Sequence, residues 1–237
     1  MRVEIIGFTS YAEQEGGAEA LLERAGRACY RSQTIGRPGK FLQARIREGH
    51  ESLIEHASVT FDIGGISRAC SHQLVRHRIA SYSQESQRYV DMSDPEFVVP
   101  PSVARDPEAQ AVWDKFMAEV TDTYHRLREL GVRKEDARFV LPNATATRII
   151  VTMNFRSLRH LFSVRCDKAA QWEIRKLALE MLHQVHDIAP SVFGDLYERY
   201  LGQRNAAHPG HAPHRNTCEM HAPPSRRRLG IHAISVI

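Results

Sequence analysis

Two hydrophobic periods alternate along the chain. β-Branched residues crowd Val3-Glu4-Ile5-Ile6-Gly7-Phe8 and predict a strand, followed by a helix over about 18–28. Leu42 and Ile46, four apart, predict a second helix over 41–48 that stops at Gly49. Across Ser58-Val59-Thr60-Phe61-Asp62-Ile63 apolar and polar residues alternate strictly, which predicts a half-buried strand ended by Gly64-Gly65. Ile66, Ala69, Cys70 and Leu74 then fall at helical spacing, so the segment after them is expected to leave a helix and continue as an irregular loop.

Asp106-Pro107 is a strong helix start, an N-cap acid before a proline whose missing N–H is no loss there. Val112, Phe116, Val120, Tyr124 and Leu127 predict one apolar stripe running to Gly131. Ile149-Ile150-Val151-Thr152-Met153-Asn154 returns to strand character, with Ile150, Thr152 and Asn154 on one face. A short helix through Leu158, Leu161 and Phe162 carries Arg165 near its end. Ile174, Leu177, Ala178, Met181, Leu182 and Val185 mark an amphipathic helix ending before Pro190, and Phe193, Leu196, Tyr197 and Tyr200 mark another. Too few long strands occur for a parallel doubly wound fold. The pattern predicts an α+β domain over 1–201, a mixed or antiparallel sheet covered by helices, and a His-, Pro- and Arg-rich tail over 202–237 that is expected to be poorly ordered.

Composition narrows the class. Of 237 residues, 42% are hydrophobic and 25% charged, and no apolar run approaches the ~20 residues that span a bilayer, so a water-soluble protein and no membrane segment are expected. The N-terminus reads as a first strand, not a secretory signal, and the four scattered cysteines contain no CxxC pair; both favour a reducing, cytoplasmic setting. The net charge of +4 owes much to Arg226-Arg227-Arg228 and does not demand nucleic acid.

The densest chemistry lies between Arg76 and Tyr89, Arg-His-Arg-Ile-Ala-Ser-Tyr-Ser-Gln-Glu-Ser-Gln-Arg-Tyr. Guanidinium offers a permanently charged planar fork that matches phosphate or carboxylate, and Glu85 is the one acid among these residues, so an anionic ligand is predicted over a solvated charged face. No G-x-G-x-x-G follows the first strand and no G-x-x-x-x-G-K-[ST] occurs, so any phosphate must be held by side chains or helix N-termini. Ser86 lacks a recognisable His and acid partner for a nucleophilic triad, and Cys166 beside Arg165 reads better as a packing residue than as an activated thiolate.

Arg76-His77-Arg78, seven residues, Ser86 and then Arg88-Tyr89 resembles the signature of the flavin-dependent thymidylate synthases. The similarity extends through Arg27-Ala28-Cys29-Tyr30, Gly49-His50-Glu51-Ser52, Glu55-His56, Ala137-Arg138 with Leu141-Pro142, Asn154-Phe155-Arg156-Ser157-Leu158, and Arg165-Cys166-Asp167 with Gln171-Trp172-Glu173. It implies a homotetramer with sites at subunit interfaces. FAD is implied as cofactor, held by Arg76, His77, Arg78, His50, Ser52, Asn154, Arg156 and His160. dUMP is implied as substrate, at Gln73, Glu85, Ser86, Gln87, Arg88, Arg138 and Arg165. Methylenetetrahydrofolate would give the carbon and NADPH the electrons, with Arg165, Ser86 and His77 taking part in catalysis, Arg165 by stabilising negative charge on the pyrimidine. No metal is expected. Ser83-Gln84 stands where the family often has Asn-Glu, His160 where Asn is frequent, and Ala169 where a flavin-side His can occur.

The competing reading is a nucleic-acid-binding module in which these arginines contact phosphates while Tyr82 and Tyr89 stack on bases; a third is an assembly protein whose arginines make interface ion pairs. In the tail, His208, His211, His214, Cys218 and His221 raise a metal site, which the interspersed prolines disfavour.

Overall fold

The computed structural model describes residues 1–12, 17–33 and 38–202. The tail, with its histidines and the expectation of poor order, lies outside the described residues. Four strands, β1 (Arg2–Phe8), β2 (Ser58–Ser67), β3 (Ser81–Gln84) and β4 (Ala146–Asn154), form one antiparallel sheet in the order β1-β2-β4-β3. The helices are α1 (Gly17–Cys29), α2 (Pro38–Arg47), α3 (Arg68–Leu74), α4 (Pro101–Ala104), α5 (Pro107–Glu129), α6 (Lys134–Ala137), α7 (Phe155–Arg165), α8 (Trp172–Ile188) and α9 (Pro190–Tyr197), with a 3-10 helix at Glu51–His56. The expected α+β class is observed. Among the described residues no helix is long and apolar enough to cross a membrane.

The sheet is built around β2 and β4, paired from Ser58↔Asn154 to Ser67↔Ala146. Their alternation puts Val59, Phe61, Ile63, Ile149, Val151 and Met153 into the core, where α3, α7 and α8 cover them. The other face is polar: the Thr60 and Thr152 hydroxyls meet at 2.9 Å, and Asp62 accepts from Arg148 Nε at 2.8 Å and Arg2 Nη2 at 3.1 Å. Hydrogen bonding by Arg148 holds the Asp62 carboxyl below the usual carboxylate range.

Three elements depart from the expectation. β2 does not end at Gly64-Gly65. Gly65 takes φ +66°, open to glycine at little steric cost, and a register shift between Gly64 and Ile66 lets the strand continue to Ser67. The helix after it starts at Arg68, because the Ser67 hydroxyl accepts from Cys70 N and caps it. Second, residues 81–84, expected to be irregular, form an edge strand on β4, a pairing to a segment some 70 residues away that no local pattern reveals. Third, α5 buries Met117, Val120 and Tyr124, while Val112 and Phe116 are exposed and line an open groove with Trp113 and Trp172. The expected stripe is buried at Val120 and Tyr124, with Leu127 packed beside them on a small separate cluster of Met92, Tyr124 and Ala137, and is lost only over the first half of α5.

Glu173 fixes the junction that matters for the site. It is 2% exposed, and its two oxygens accept from Ser67 N (2.7 Å) and Ser67 Oγ (2.5 Å). A buried carboxylate is tolerable when both oxygens are satisfied in this way. It locks the first turn of α8 to the start of α3, the helix that leads into Arg76-His77-Arg78.

Candidate functional site

α7 is apolar on one side and chemical on the other. Phe155, Leu158, Leu161 and Phe162 are fully buried, whereas Arg156, His160, Ser163 and Val164, at i, i+4, i+7 and i+8, line a cleft of about 900 Å³. The Asn154 side chain accepts from Ser157 N at 2.8 Å, capping the helix, and also lines the cleft. The opposite wall is the turn after α3, with Arg76, His77, Arg78 and Ile79. Tyr82 secures that turn: its hydroxyl donates to the carbonyls of Leu74 (2.9 Å) and His77 (2.7 Å), and burial pushes its pKa up to about 12. A ring so committed is not free to stack on a base, which removes one support of the nucleic-acid reading.

Where α7 ends, the walls meet. Arg165 Nε donates to His77 Nε2 at 3.1 Å, and Arg165 Nη2 to the Gln73 carbonyl at 3.4 Å. A guanidinium has no lone pair to give, so His77 Nε2 must accept and the imidazole is neutral with its proton on Nδ1. Burial, then the charges of Arg165 and His160, lower the His77 pKa to about 4. The His160 ring stands edge-on at 5.7 Å between centroids.

The sequence-predicted residues therefore fall into two groups. Arg76, His77, Arg78, Asn154, Arg156, His160 and Arg165 share the cleft. Glu85, Ser86, Gln87, Arg88 and Arg138 do not line it. They sit around the turn after β3, where Tyr89 N and Val90 N donate to the Ser86 carbonyl and the Ser86 hydroxyl accepts from Arg88 N at 3.3 Å. Arg88 donates through Nε and Nη2 to the Glu135 carboxylate (3.3 and 3.2 Å), and Arg138 Nε to the Glu135 carbonyl (3.1 Å). The Gln73 side chain does not line the cleft either; its backbone serves Arg165. His50 and Ser52, expected near the cofactor, are exposed and outside the cleft wall. His50 Nδ1 lies 3.2 Å from the Tyr30 hydroxyl.

Three charged cleft residues were given no site role from the sequence: Glu51 and Glu55, which stand in stretches that carry the resemblance, and Arg159. The signal available was their place beside His50, Ser52 and His56 in those stretches. Arg68 is a fourth candidate, beside the second group: burial, then the charge of Arg138, lowers its pKa, and Glu85 opposes this. Thiol chemistry has little support, since Cys166 is buried and its pKa is pushed up to about 12, and Cys70 is shifted in the same direction by burial. Neither lines the cleft.

The family described as thymidylate synthase complementing protein matches residues 11–191. Similar curated proteins include the flavin-dependent thymidylate synthase of Geobacter sulfurreducens, 51% identical over 188 residues, covering 75% of this chain and 81% of that protein. The enzyme of the same name from Nitratidesulfovibrio vulgaris is 44% identical over 196 residues, 73% of this chain and 80% of its own. That of Mycobacteroides abscessus is 40% identical over 223 residues, 82% and 89%.

Proposed function

We propose that this chain, which belongs to the flavin-dependent thymidylate synthase family and is an enzyme of that type with FAD as its cofactor, converts dUMP to dTMP by reductive methylation. Methylenetetrahydrofolate is the carbon donor in this reading and NADPH the source of electrons. When bound, the reduced flavin supplies the hydride that completes the methyl group. The protein's task is to hold both rings, to make C5 of the pyrimidine nucleophilic and to keep water out.

The observation that carries the reading is the Arg165 Nε to His77 Nε2 contact at 3.1 Å, on the wall of a cleft that also presents Arg76, Arg78 and Arg156. The donor set suits a diphosphate: Arg76 and Arg78 have no acidic partner among the described residues, and Asn154 and His160 add neutral polar groups. Arg165, oriented by His77, is placed to stabilise negative charge on a pyrimidine. His77, neutral and accepting, acts here as the positioning group and not as a proton shuttle. Ser86, Gln87, Arg88, Arg138 and Glu85 form the pyrimidine monophosphate side, with Gln73 beside Arg165.

A homotetramer with shared sites reconciles the two groups. In its support, Ile79 (75% exposed), Tyr89 (75%) and Phe139 (82%) expose large apolar side chains beside both sets of arginines, an arrangement suited to a subunit interface. We place the catalytic domain at residues 1–201, in keeping with the match over 11–191, and the enzyme in the cytoplasm. The test is anaerobic: purified, flavin-loaded protein with dUMP, methylenetetrahydrofolate and NADPH should form dTMP. A folded, flavin-loaded protein that forms none would sink the proposal.

A further inference from the structure

The arginines of the cleft are not in the same electrostatic state. Arg76 and Arg78 have no acidic partner among the described residues, but Arg156 donates from Nη1 to Glu55 Oε1 at 2.5 Å, with Glu51 Oε2 at 3.8 Å from its Nε. Arg159 is held by Asp195 through two bonds of 2.7 Å, with Glu51 3.5 Å from its Nε. Glu51 and Glu55 come from the same 3-10 helix and give a cationic cleft one acidic wall.

The two ion pairs differ in what could replace them. Arg159 is 11% exposed, and its forked bond to Asp195 ties α7 to α9, so breaking it would strand a guanidinium in the interior. The Arg156–Glu55 pair is 51% and 43% exposed, wet enough to open at little cost. Arg156 projects into the cleft from the cationic face of α7, and Glu55 occupies its donors there.

We infer that Glu55 is a built-in competing carboxylate that an anionic ligand must displace from Arg156 to occupy the cleft. The inference deepens the proposed cofactor site and rests on the reading of this cleft as an anion site. A small anion gains one set of hydrogen bonds and loses most of it in displacing Glu55. A ligand whose phosphates also reach Arg76 and Arg78, and whose ring system fills the rest of the cleft, gains elsewhere and is favoured. Between ligands, Glu55 keeps Arg156 ordered and neutralised.

The experiment is calorimetric titration of the full chain, freed of flavin, with inorganic pyrophosphate and separately with FAD, using wild type, Glu55→Gln, Arg156→Gln and the double variant. Glu55→Gln keeps a polar side chain at an exposed position and removes the competing charge. It is expected to tighten both ligands about three- to fivefold, the range set by an exposed ion pair, with no gain when Arg156→Gln is already present. Glu180→Gln, an equal charge change outside the cleft, is expected to give no gain. The inference is overturned if Glu55→Gln does not tighten pyrophosphate, if the gain survives Arg156→Gln or is matched by Glu180→Gln, or if pyrophosphate binds none of these proteins. Tightened pyrophosphate with no FAD binding would instead remove the flavin reading and leave the competing carboxylate standing. FAD binding unchanged by Glu55→Gln, with pyrophosphate also unchanged, would do the reverse.

Discussion

The cleft beneath α7 and the turn around Ser86 both gather arginines, yet they are built in opposite ways. In the cleft, one chain supplies both walls: the turn after α3 is pinned by Tyr82, α7 is anchored by four buried side chains, and Arg165 bridges the two through His77. At the turn, Arg88 and Arg138 converge on Glu135 over an exposed surface flanked by Tyr89 and Phe139. A cleft lined by two elements of one chain can hold a ligand by shape as well as charge, whereas the open, pre-paired arginine surface is the one that the proposed tetramer would complete with a second wall. The comparison teaches that the same residue type, on one short segment, lines a recessed cleft on one side and an exposed, ion-paired surface on the other.

The largest effect expected is on turnover. Arg165→Ala should lower dTMP formation about 10²- to 10³-fold, as loss of one stabilising donor does elsewhere, with flavin content largely retained. A variant that kept most of its turnover would dissolve the special place of the cleft bridge. Next, single variants should separate the regions. Arg88→Ala or Arg138→Ala should raise the KM for dUMP about 10- to 100-fold without releasing flavin, while Arg76→Ala should do the reverse, each removing charged hydrogen bonds worth ~1.5–3 kcal/mol. If both sets of variants lost flavin equally, the two regions would be one site. Third, mixing Arg76→Ala subunits with Arg138→Ala subunits should restore a fraction of activity, about a quarter or less, if each site draws on two chains. Two impaired proteins that gain no activity at low dUMP after verified subunit exchange would place both groups of a site on the same chain.

The smallest effect is on stability against pH. The folded His77 pKa, about 4, lies below the ordinary value of 6.5, so the unfolded chain binds the extra proton between them. The contribution of neutral His77 is therefore complete above about pH 6.5 and is lost as pH falls towards 4. Discounted for its half-exposed setting it amounts to about 1 kcal/mol. Urea midpoints at pH 7.5 and 4.5 should fall further apart for wild type than for His77→Gln, and equal spacing would remove the argument for a neutral imidazole held by Arg165.

Much of the fold could be read from local pattern. The alternation at Val59 and at Ile149, the Asp106-Pro107 start and the α8 stripe are properties of a few consecutive residues, and the corresponding elements appear. The extension of β2 through Gly65 and the exposure of Val112 and Phe116 on α5 could not be read, because each depends on what lies opposite. Site residues divide likewise: Arg76, His77 and Arg78 announce themselves as a cationic run, and Asn154, Arg156 and His160 followed from resemblance. Glu51, Glu55 and Arg159 carried no site role from the sequence, and the fold brings them to one cavity.

By itself the sequence determined the chemistry available: permanently charged guanidiniums, an imidazole, thiols with no CxxC pair, and apolar periods that indicate which side of most elements is buried. Only the tertiary structure decided the partners. The register Ser58↔Asn154 and the packing of α7 on its neighbours bring Arg165 within 3.1 Å of His77, 88 residues away, and set Glu55 against Arg156. Periodicity is a property of neighbours along the chain, whereas a site is a property of neighbours in space, and strand pairing and burial convert the one into the other.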